Sequence, residues 1–354
     1  MFVNLNSAMN FSKSLIQWYL QNKRDLPWRN TIDPYFIWLS EIMLQQTRVA
    51  QGLPYFLRFT AAFPTVFDLA IADEEQVLKL WQGLGYYSRA RNLHKTAQQV
   101  ALEYNGEFPK RYAELLKLKG IGEYTAAAIA SFAYNESVPV VDGNVYRVLS
   151  RYFEVETDIA SSGAKKEFTQ LAAELLPKGE ANLFNQAIME FGALQCVPKN
   201  PDCANCIFND SCAALQKKKV AQLPVKSKKV KVKTRFFSYL VFEDEVNNTL
   251  IQKRIQKGIW HNLYEFPLLE TETDLSLHAL TDLLNKHSKA ENKILNTSRI
   301  NEAVIVHKLT HQHLNIRFWK VRVAGRLSGG IDWESAKKFP FPIVIHNFIE
   351  AERF

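Results

Sequence analysis

Apolar residues recur at three- and four-residue spacing through the first half of the chain and alternate with polar residues in its last third. The first pattern predicts amphipathic helices, because it places apolar side chains on one face of a helix with 3.6 residues per turn. Alternation with a period of two predicts strands. We expect helices at residues 11–21, 35–46, 74–82, 89–104, 124–132 and 165–176, and strands at residues 236–242, 249–254 and 316–323.

A run of basic residues separates the two patterns. Between residues 217 and 235 the chain has nine Lys or Arg and no Asp or Glu, and the net charge of the whole chain is +8. Such a segment favours a polyanion such as nucleic acid, whose phosphates release counterions on contact, but a solvated linker without a ligand looks the same. We predict a helical domain at residues 1–215, a basic linker at 216–234 and an α+β domain at 235–354.

Composition restricts the class of protein. A hydrophobic content of 47% with 23% charged residues is typical of folded soluble chains. No apolar stretch approaches the roughly 20 residues that a membrane-spanning helix needs. The first ten residues lack a basic start followed by an apolar run, so we expect no secretory signal and a reducing, cytoplasmic location.

All four cysteines of the chain fall in one short segment, as Cys196, Cys203, Cys206 and Cys212, with six, two and five residues between successive members. Four thiolates in one loop can bind an iron–sulfur cluster or a zinc ion. Structural zinc sites usually use two close pairs, whereas only Cys203 and Cys206 form one here. The spacing therefore favours a 4Fe-4S cluster over zinc, and two disulfides are the least favoured reading.

A glycine-rich turn marks a candidate nucleic-acid contact. Residues 116–128 place Gly120 and Gly122 on either side of an apolar residue, just before an Ala-rich helix. This pattern is that of a helix-hairpin-helix, in which glycines let the backbone approach a phosphate and the helix amides donate to it. A tight turn between two packed helices would give a similar sequence.

Three features together resemble a known family. They are the hairpin, an Asp about 20 residues after it in Val140-Val141-Asp142-Gly143-Asn144-Val145, and the four-cysteine loop. They are similar to the endonuclease III superfamily of DNA glycosylases. Within it, residues 26–29 (Leu-Pro-Trp-Arg), 38–47 (Trp-Leu-Ser-Glu-Ile-Met-Leu-Gln-Gln-Thr) and 83–89 (Gly-Leu-Gly-Tyr-Tyr-Ser-Arg) resemble the MutY family of adenine glycosylases.

The resemblance is strong from about residue 10 to 215 and weaker beyond. It implies a multidomain protein, with a mainly α helix-hairpin-helix glycosylase domain that carries a 4Fe-4S loop and an α+β Nudix-like C-terminal domain. The active site would lie in a cleft between a six-helix module and a module that bears the cluster. Duplex DNA is the implied partner, and we expect a monomer that does not bind membranes.

Two carboxyl groups are the candidates for the chemistry. Glu41 lies in an apolar run that should raise its pKa and keep it protonated, so that it could act as a general acid on N7 of adenine. Asp142 would stay ionised and stabilise or capture the sugar cation. Glu41 could instead be a helix-surface acid, Asp142 could merely cap a helix at residues 144–152, and Asp142 could also do both jobs.

Tyr124 decides between two reaction types. Bifunctional relatives carry a lysine at this position, whose amine attacks the sugar and nicks the strand, and tyrosine cannot form that imine. The chain is therefore expected to be a monofunctional glycosylase. The resemblance also implies that Tyr124 and Asn144 orient the reacting groups, although a packing Tyr and a helix-capping Asn are the simpler readings.

The base must leave the helical stack to be read in a pocket. By resemblance, Arg29 and Gln186 would line that pocket, Trp28 and Leu44 would form its apolar walls, and Gln46 and Tyr86 would wedge into the duplex. Thr47, at the end of the same run as Glu41, is a further candidate for contact with DNA. Gln186 could equally lie on a helix surface, and the aromatic residues could all belong to the core.

The C-terminal region resembles a Nudix domain such as that of MutT at residues 248–267. It lacks the glutamate-dense helix that binds Mg²⁺ in Nudix hydrolases, since residues 268–286 offer only four scattered acids. We expect it to recognise 8-oxoguanine. Relatives place Phe-Ser-His at that contact, where this chain has Leu309-Thr310-His311. His307, His311 and His313 alternate, which fits a half-exposed strand better than a metal site.

The predicted function is excision of adenine paired with 8-oxoguanine or G by hydrolysis of the N-glycosidic bond, in base excision repair. Three alternatives stay open from the sequence. The chain could be a bifunctional glycosylase/lyase, a non-catalytic DNA-binding protein, or a nucleotide hydrolase that works through residues 235–354. The acid retained at Glu41 argues against the second, and the missing metal-binding acids argue against the third.

Overall fold

The computed structural model describes residues 5–227, 232–287 and 293–352. The chain divides into two compact units. The first comprises residues 1–71 and 92–228, and the second comprises residues 72–91 and 229–354. No helix among the described residues has the length and apolar character needed to cross a membrane.

Helices make up most of the first unit, and strands are confined to the second. The helices are α1 (Leu5–Asn22), a 3₁₀ turn (Pro27–Arg29), α2 (Pro34–Leu44), α3 (Val49–Ala62), α4 (Val66–Ile71), α5 (Glu74–Leu80), α6 (Ser88–Glu103), α7 (Tyr112–Leu115), α8 (Glu123–Tyr134), α9 (Gly143–Phe153), α10 (Ala164–Leu175), α11 (Ala181–Leu194), α12 (Ala213–Gln216), α13 (Leu277–His287), α14 (Trp333–Ala336) and α15 (Ile343–Glu352). The strands are β1 (Lys233–Glu243), β2 (Gln252–Lys253), β3 (Tyr264–Glu265), β4 (Leu268–Thr271), β5 (Ile294–Arg299), β6 (Ile305–Lys308) and β7 (Gln312–Val323).

All six predicted helices are present. Their ends differ from the prediction by at most two residues, except that α1 begins at Leu5 instead of residue 11. Helices α3 and α11 were not among them. Helix α3 contains Gly52 and Pro54, which interrupt a helical pattern in the sequence. Its apolar residues Phe56 and Phe59 are nevertheless buried, so packing overrides the weak local propensity.

One core of the first unit holds α1, α9, α10 and α11 together and fixes the cysteine loop. Phe208, between the third and fourth cysteines, is buried against this core. Its ring centroid lies 4.9 Å from that of Phe11 in α1 and 5.3 Å from that of Phe191 in α11. The loop is therefore tied to the same helices that carry the residues of the cavity described below.

The second unit is built on a mixed sheet in the order β4-β1-β7-β5, with β6 paired to the other half of β7. The two long central strands, β1 and β7, are parallel. Phe348 of α15 stacks on Phe318 of β7 with centroids 3.7 Å apart. The next residue of β7, Trp319, packs in a cluster with Leu280 of α13. Because successive strand residues face opposite sides, the sheet lies between these two helices, as predicted for an α+β domain.

The predicted strand at residues 249–254 is wrong in extent. Thr249 forms an isolated bridge with Ile331, whereas Gln252 pairs with Glu265 in a two-residue hairpin of β2 and β3. The chain changes its pairing partner between these positions, so a single ladder cannot run through the segment. Alternation of side chains alone does not reveal such a change.

The basic stretch begins as an attached part of the first unit. Lys217 and Lys219 form ion pairs with Glu154, and Lys219 also pairs with Glu156 at 2.5 Å. The backbone amide of Ile159 donates to the carbonyl of Val225 at 3.0 Å. Part of the charge that suggested a polyanion is thus neutralised by carboxylates. Residues 228–231 of the stretch lie outside the described residues, and the predicted domain boundaries stay predictions.

Candidate active site

A cavity of about 1030 Å³ opens in the first unit. Its walls come from the 3₁₀ turn, α2, α8, the start of α9, and α11. Nine of the predicted site residues line it, namely Trp28, Arg29, Glu41, Leu44, Thr47, Tyr124, Asp142, Asn144 and Gln186. Residues separated by more than 150 positions in the sequence therefore converge on one space, although their roles stay predictions.

Glu41 is the buried acid of this cavity. Helix α2 is apolar along almost its whole length, and eight of its eleven residues, Glu41 included, are buried. The hydroxyl of Tyr124 in α8 donates to Oε2 of Glu41 at 2.5 Å. Burial raises the pKa of Glu41 to about 7, helped by the charge of Asp142 and opposed by the Tyr124 hydrogen bond and by Arg29. The helix-surface reading of this acid is therefore wrong.

Asp142 caps helix α9. Its Oδ1 accepts from the backbone amides of Asn144 and Val145, both at 2.8 Å, and its Oδ2 accepts from Nδ2 of Asn144 at 2.8 Å. Burial raises the pKa of this carboxyl, while these donors and the charge of Arg147 oppose the rise. Asp142 is thus both a helix cap and part of the cavity wall. The two readings from the sequence do not exclude each other.

Arg147, one turn further along α9, links this carboxyl to the cysteine loop. Its Nη2 donates to Oδ1 of Asn144 at 2.7 Å and to the carbonyl of Gly192 at 2.6 Å, and its Nε donates to the carbonyl of Cys196 at 2.7 Å. Gly192 leaves room for this arrangement, because a Cβ built on it would lie 2.7 Å from Cβ of Asn144. The sequence analysis did not identify either residue.

Glu190 of α11 is a second buried acid, also missed. Arg24 and Arg29 both donate to it through two nitrogens, at 2.6–2.8 Å. Burial opposes its ionisation, but the hydrogen bonds from the two guanidinium groups lower its pKa to about 2. The signal was present in the sequence, because Glu190 interrupts an apolar helix just as Glu41 does.

Gln186 lies one helical turn before Glu190 and faces the cavity. Its Oε1 accepts from the hydroxyl of Tyr19 at 2.7 Å, and its Nε2 donates to Oδ1 of Asn182. The guanidinium of Arg29 lies 5.6 Å from the centroid of the Tyr19 ring. Gln186 is therefore held by polar partners inside a cavity, and the alternative of a free surface residue is wrong.

Two apolar residues form the wall that was expected of them. Trp28 is buried, and its ring meets that of Phe56 edge to face with centroids 5.0 Å apart. Leu44 lies against Gly52 of α3, where an added Cβ would come within 2.8 Å of Cδ2 of Leu44.

Gln46, just past α2, is exposed and has a φ of +58°, a left-handed conformation uncommon for a residue with a Cβ.

The glycines of the hairpin serve different purposes. Gly120 has a φ of +79°, and a Cβ there would also lie 2.7 Å from Cβ of Asn92, so both conformation and space require glycine. Gly122 is the residue before α8 and has open space around it. Both line a second cavity, of about 510 Å³, at the start of α8.

The four cysteines line one small cavity of about 30 Å³ in the first unit. None forms a disulfide. Burial raises the pKa of the Cys206 thiol to about 11. Arg151 approaches Sγ of Cys196 at 3.4 Å and donates to the carbonyls of Val197 and Pro198. Within residues 5–227, 232–287 and 293–352, no three His, Cys, Asp or Glu side chains are arranged to hold one metal ion.

The second unit brings together three further predicted residues, Tyr86, Thr310 and His311, which line a cavity of about 370 Å³. The hydroxyl of Tyr86 is 2.6 Å from Oγ1 of Thr310. Tyr86 is 45% exposed. Thr310 and His311 form the exposed tip of the β6–β7 hairpin, since the amide of Leu309 donates to the carbonyl of Gln312.

The fold and sequence agree with known proteins. The model of the HhH-GPD superfamily of base excision DNA repair proteins matches residues 39–178, and that of the NUDIX domain matches residues 238–351. A solved thermostable thymine-DNA glycosylase superposes with a TM-score of 0.56 at 29% identity, covering 60% of this chain and 98% of that one. Endonuclease III bound to DNA in a trapped covalent intermediate has a TM-score of 0.54 at 22% identity, over 61% of this chain and 99% of that one, which shows likeness of fold. The predicted fold class is therefore confirmed.

Curated relatives extend the likeness through the second unit. The adenine DNA glycosylase of Homo sapiens is 42% identical over 63% of this chain and 42% of its own length. That of Buchnera aphidicola subsp. Baizongia pistaciae (strain Bp) is 36% identical over 88% of this chain and 85% of its own length. On this extent of shared sequence, the chain belongs to the adenine DNA glycosylase family.

Proposed function

We propose that this protein excises adenine paired with 8-oxoguanine or guanine from duplex DNA, by hydrolysis of the N-glycosidic bond and without cutting the strand, as a step of base excision repair. The observation that carries the proposal is Glu41, a buried acid with a pKa of about 7 in a cavity of about 1030 Å³. A cavity of that size has room for an extruded nucleoside.

Glu41 supplies the proton. Adenine leaves poorly as an anion, and a proton on N7 lets it leave neutral. A carboxyl with a pKa near 7 is still protonated in part of the molecules at neutral pH, which an ordinary glutamate is not. Tyr124 keeps its own proton, because burial raises its pKa well above 10, so its hydroxyl stays a donor that orients the Glu41 carboxyl.

Asp142 stabilises the positive charge that develops on the sugar as the N-glycosidic bond breaks. Its carboxyl faces the cavity from the start of α9, and three hydrogen bonds from the helix end and from Asn144 favour its ionised form. An anion there stabilises an oxocarbenium-like sugar or captures it until water attacks. The charge of an ionised Asp142 also raises the pKa of Glu41, which favours the protonated form of Glu41.

Strand cleavage by imine formation requires an amine at the sugar. At the position where bifunctional relatives carry lysine, this chain has Tyr124, whose hydroxyl is bonded to Glu41. A phenol forms no imine with an opened sugar. This supports monofunctional excision over the glycosylase/lyase alternative.

The second unit reads the base opposite adenine. Tyr86 is exposed in a left-handed conformation with a φ of +48°, and Thr310 presents its hydroxyl 2.6 Å away. Thr310 can donate or accept as the family serine does, while Leu309 replaces the family phenylalanine. Nucleotide hydrolysis is disfavoured, because α13 carries a single acid, Asp282, among its residues, where a Nudix hydrolase needs several to bind Mg²⁺.

The four cysteines fit a 4Fe-4S cluster. They line one buried cavity next to Arg151, whose guanidinium approaches Sγ of Cys196 and would offset the negative charge of the thiolates. Cys196, Cys203, Cys206 and Cys212 would each bind one iron. When bound, the group cross-links the loop that accepts the Arg147 hydrogen bond at the Cys196 carbonyl. The protein would act as a monomer on duplex DNA, associated with the nucleoid.

The direct test is a strand-labelled duplex with adenine opposite 8-oxoguanine. We expect an alkali-labile site at the adenine and an intact strand before alkali. Glu41→Gln should slow excision by at least about 100-fold, because the general acid is lost, while duplex affinity stays within about twofold. The exposed acid Glu167 provides the matched control, and Glu167→Gln should behave as wild type. Normal excision by Glu41→Gln would reject the acid, and breakage before alkali would reject the monofunctional reaction.

Excision should depend on pH through Glu41. The active form is protonated, so the single-turnover rate should fall as pH rises through about 7, approaching a tenfold decrease per unit at higher pH. Because the pKa of Glu41 is raised in the folded state, the unfolded chain loses this proton first. The free energy of unfolding should therefore fall as pH rises from 4.5 to about 7. Glu41→Gln should therefore be at least as stable as wild type at pH 8 in chemical denaturation. A rate that stays level between pH 6 and 9 would contradict the role of this acid.

Gly192→Ala should displace Asn144 and thereby disturb the Asp142 carboxyl. The added methyl group would overlap Asn144, which donates to Asp142, so we expect excision to slow roughly 10- to 100-fold and the unfolding free energy to fall by about 1–3 kcal/mol. Gly163→Ala, where a Cβ meets nothing within 4 Å, is the control and should change neither quantity. Wild-type kinetics for Gly192→Ala would show that Asn144 tolerates displacement.

The cluster is tested without an activity assay. Cys203→Ser should remove most of the visible absorbance and bound iron of the purified protein, because the cavity then offers three thiolates instead of four. Ser211→Ala, in the same loop, should retain both. Full iron content and absorbance in Cys203→Ser, or zinc in place of iron in the wild-type protein, would reject the 4Fe-4S assignment.

A further inference from the structure

Residues 72–91, here called the docking segment, match one family model in sequence but pack with the part of the chain that matches another. By sequence they lie inside the stretch matched by the HhH-GPD model, residues 39–178. In space they form one compact unit with residues 229–354. The docking segment contains α5, the loop with Tyr86, and the first residues of α6. A part of the glycosylase sequence is thus built into the unit that contains the NUDIX match.

Glu75 of α5 holds the β2–β3 hairpin. Its Oε1 accepts from Nζ of Lys253 and from the hydroxyl of Tyr264, both at 2.8 Å. These residues are direct partners across the hairpin, one on each strand. The loop between the two strands carries Trp260, which lines the same cavity as Tyr86 and Thr310. Glu75 therefore fixes the base of a hairpin whose tip forms one wall of that cavity.

Lys79, one turn further along α5, holds a second segment. Its Nζ donates to the carbonyl of Lys337 at 2.6 Å and to that of Phe339 at 3.1 Å, just after α14. Gln82 continues the contact by accepting from the amide of Phe341 at 2.9 Å. The ring of Phe339 packs on that of Tyr264 with centroids 4.4 Å apart, so the contacts of Glu75 and Lys79 share a neighbour.

The loop that follows α5 is held by its backbone conformation and by two hydrogen bonds. Gly83, Gly85 and Tyr86 all have positive φ, of +99°, +80° and +48°. The carbonyl of Gly85 accepts from Nε1 of the buried Trp81 at 3.0 Å and from Nη2 of Arg89 at 3.1 Å. A fixed loop transmits the position of α5 to Tyr86, whereas a flexible loop would not.

We propose that Glu75 and Lys79 are positioning residues that hold Tyr86 beside Thr310, and that they thereby set the preference for 8-oxoguanine over guanine opposite adenine. The inference rests on the proposed function. A hydrogen bond between two exposed side chains contributes little by itself, so its geometry must be imposed by the elements that carry it. Tyr86 and Thr310 are 224 residues apart in the chain, and the docking segment joins the elements that carry them.

The test compares two duplexes that differ only in the base opposite adenine, 8-oxoguanine or guanine, in single-turnover excision and in binding. Tyr264→Phe removes one hydroxyl, and Lys79→Met removes the ammonium. Each should lower the ratio of affinities for the two duplexes by about 3- to 10-fold, which corresponds to the loss of one or two hydrogen bonds. Thr310→Ala gives the reference loss of the ratio. In Tyr264→Phe and Lys79→Met, excision from the guanine duplex should stay within about twofold of wild type.

Lys79→Arg should restore the ratio, because a guanidinium can donate to both carbonyls. Lys338→Met removes a charge from an exposed neighbour of the same segment and should change nothing. An equal loss on both duplexes, or an unchanged ratio in Tyr264→Phe and Lys79→Met, overturns the inference. If Lys79→Met fails to fold, Tyr264→Phe decides alone. A wild-type protein that excises adenine without preference also overturns the inference, whereas one that does not excise adenine at all overturns the proposed function.

Discussion

The burial of Glu41 is the constraint on which the site depends. An isolated carboxyl in apolar surroundings resists ionisation, and α2 supplies those surroundings because nearly every neighbour in the helix is apolar and buried. The Tyr124 hydroxyl satisfies one oxygen without supplying a positive charge. Burial of this kind costs stability, which a protein that only bound DNA would have no reason to accept. The raised pKa of Glu41 therefore supports the proposal that proton transfer takes place in this cavity.

Helix α9 connects that cavity to the cysteine loop. Its first turn holds Asp142 and Asn144, its next turn carries Arg147, and Arg151 follows one turn later. Arg147 bonds to Asn144 at one end and to the Cys196 carbonyl at the other, while Arg151 reaches the sulfur of the same cysteine. Since Asn144 in turn donates to Asp142, a change in the shape of the cysteine loop would reach Asp142 through three hydrogen bonds. The loop therefore influences the position of the Asp142 carboxyl whatever group the loop binds.

The sequence revealed those features whose signal is local. Glu41 stood out because a charge in an apolar helix is rare, and the glycines of the hairpin stood out because only one residue, Ile121, separates them. Glu190 carries the same local signal, one turn after Gln186 in α11, but was not among the predicted residues. Gly192 could not have been found, because its role depends on Asn144, a residue 48 positions away that approaches it only in the folded chain.

Contacts between residues that are distant in the sequence also explain the errors in the second unit. The strand predicted at residues 249–254 fails because Thr249 and Gln252 pair with two different segments, at Ile331 and Glu265, each more than 10 residues away. The grouping of residues 72–91 with residues 229–354 depends on Glu75, Lys79 and Arg91, whose partners lie at residues 253–264 and 337–339. Charged residues on an amphipathic helix look solvent-exposed in sequence, and only the three-dimensional contacts show that they hold another segment.

Two buried acids in one cavity show how hydrogen-bond donors set the pKa of a carboxyl group. Glu41 and Glu190 both lie on helices, and both are nearly inaccessible. Two guanidinium groups lower the pKa of Glu190 to about 2, whereas a phenol and the nearby charge of Asp142 leave Glu41 with a pKa of about 7. Desolvation alone would raise both, so the difference arises from the charge of the hydrogen-bond donors. At neutral pH Glu190 can only accept hydrogen bonds and anchor Arg29, whereas Glu41 can carry the proton that the proposed reaction requires.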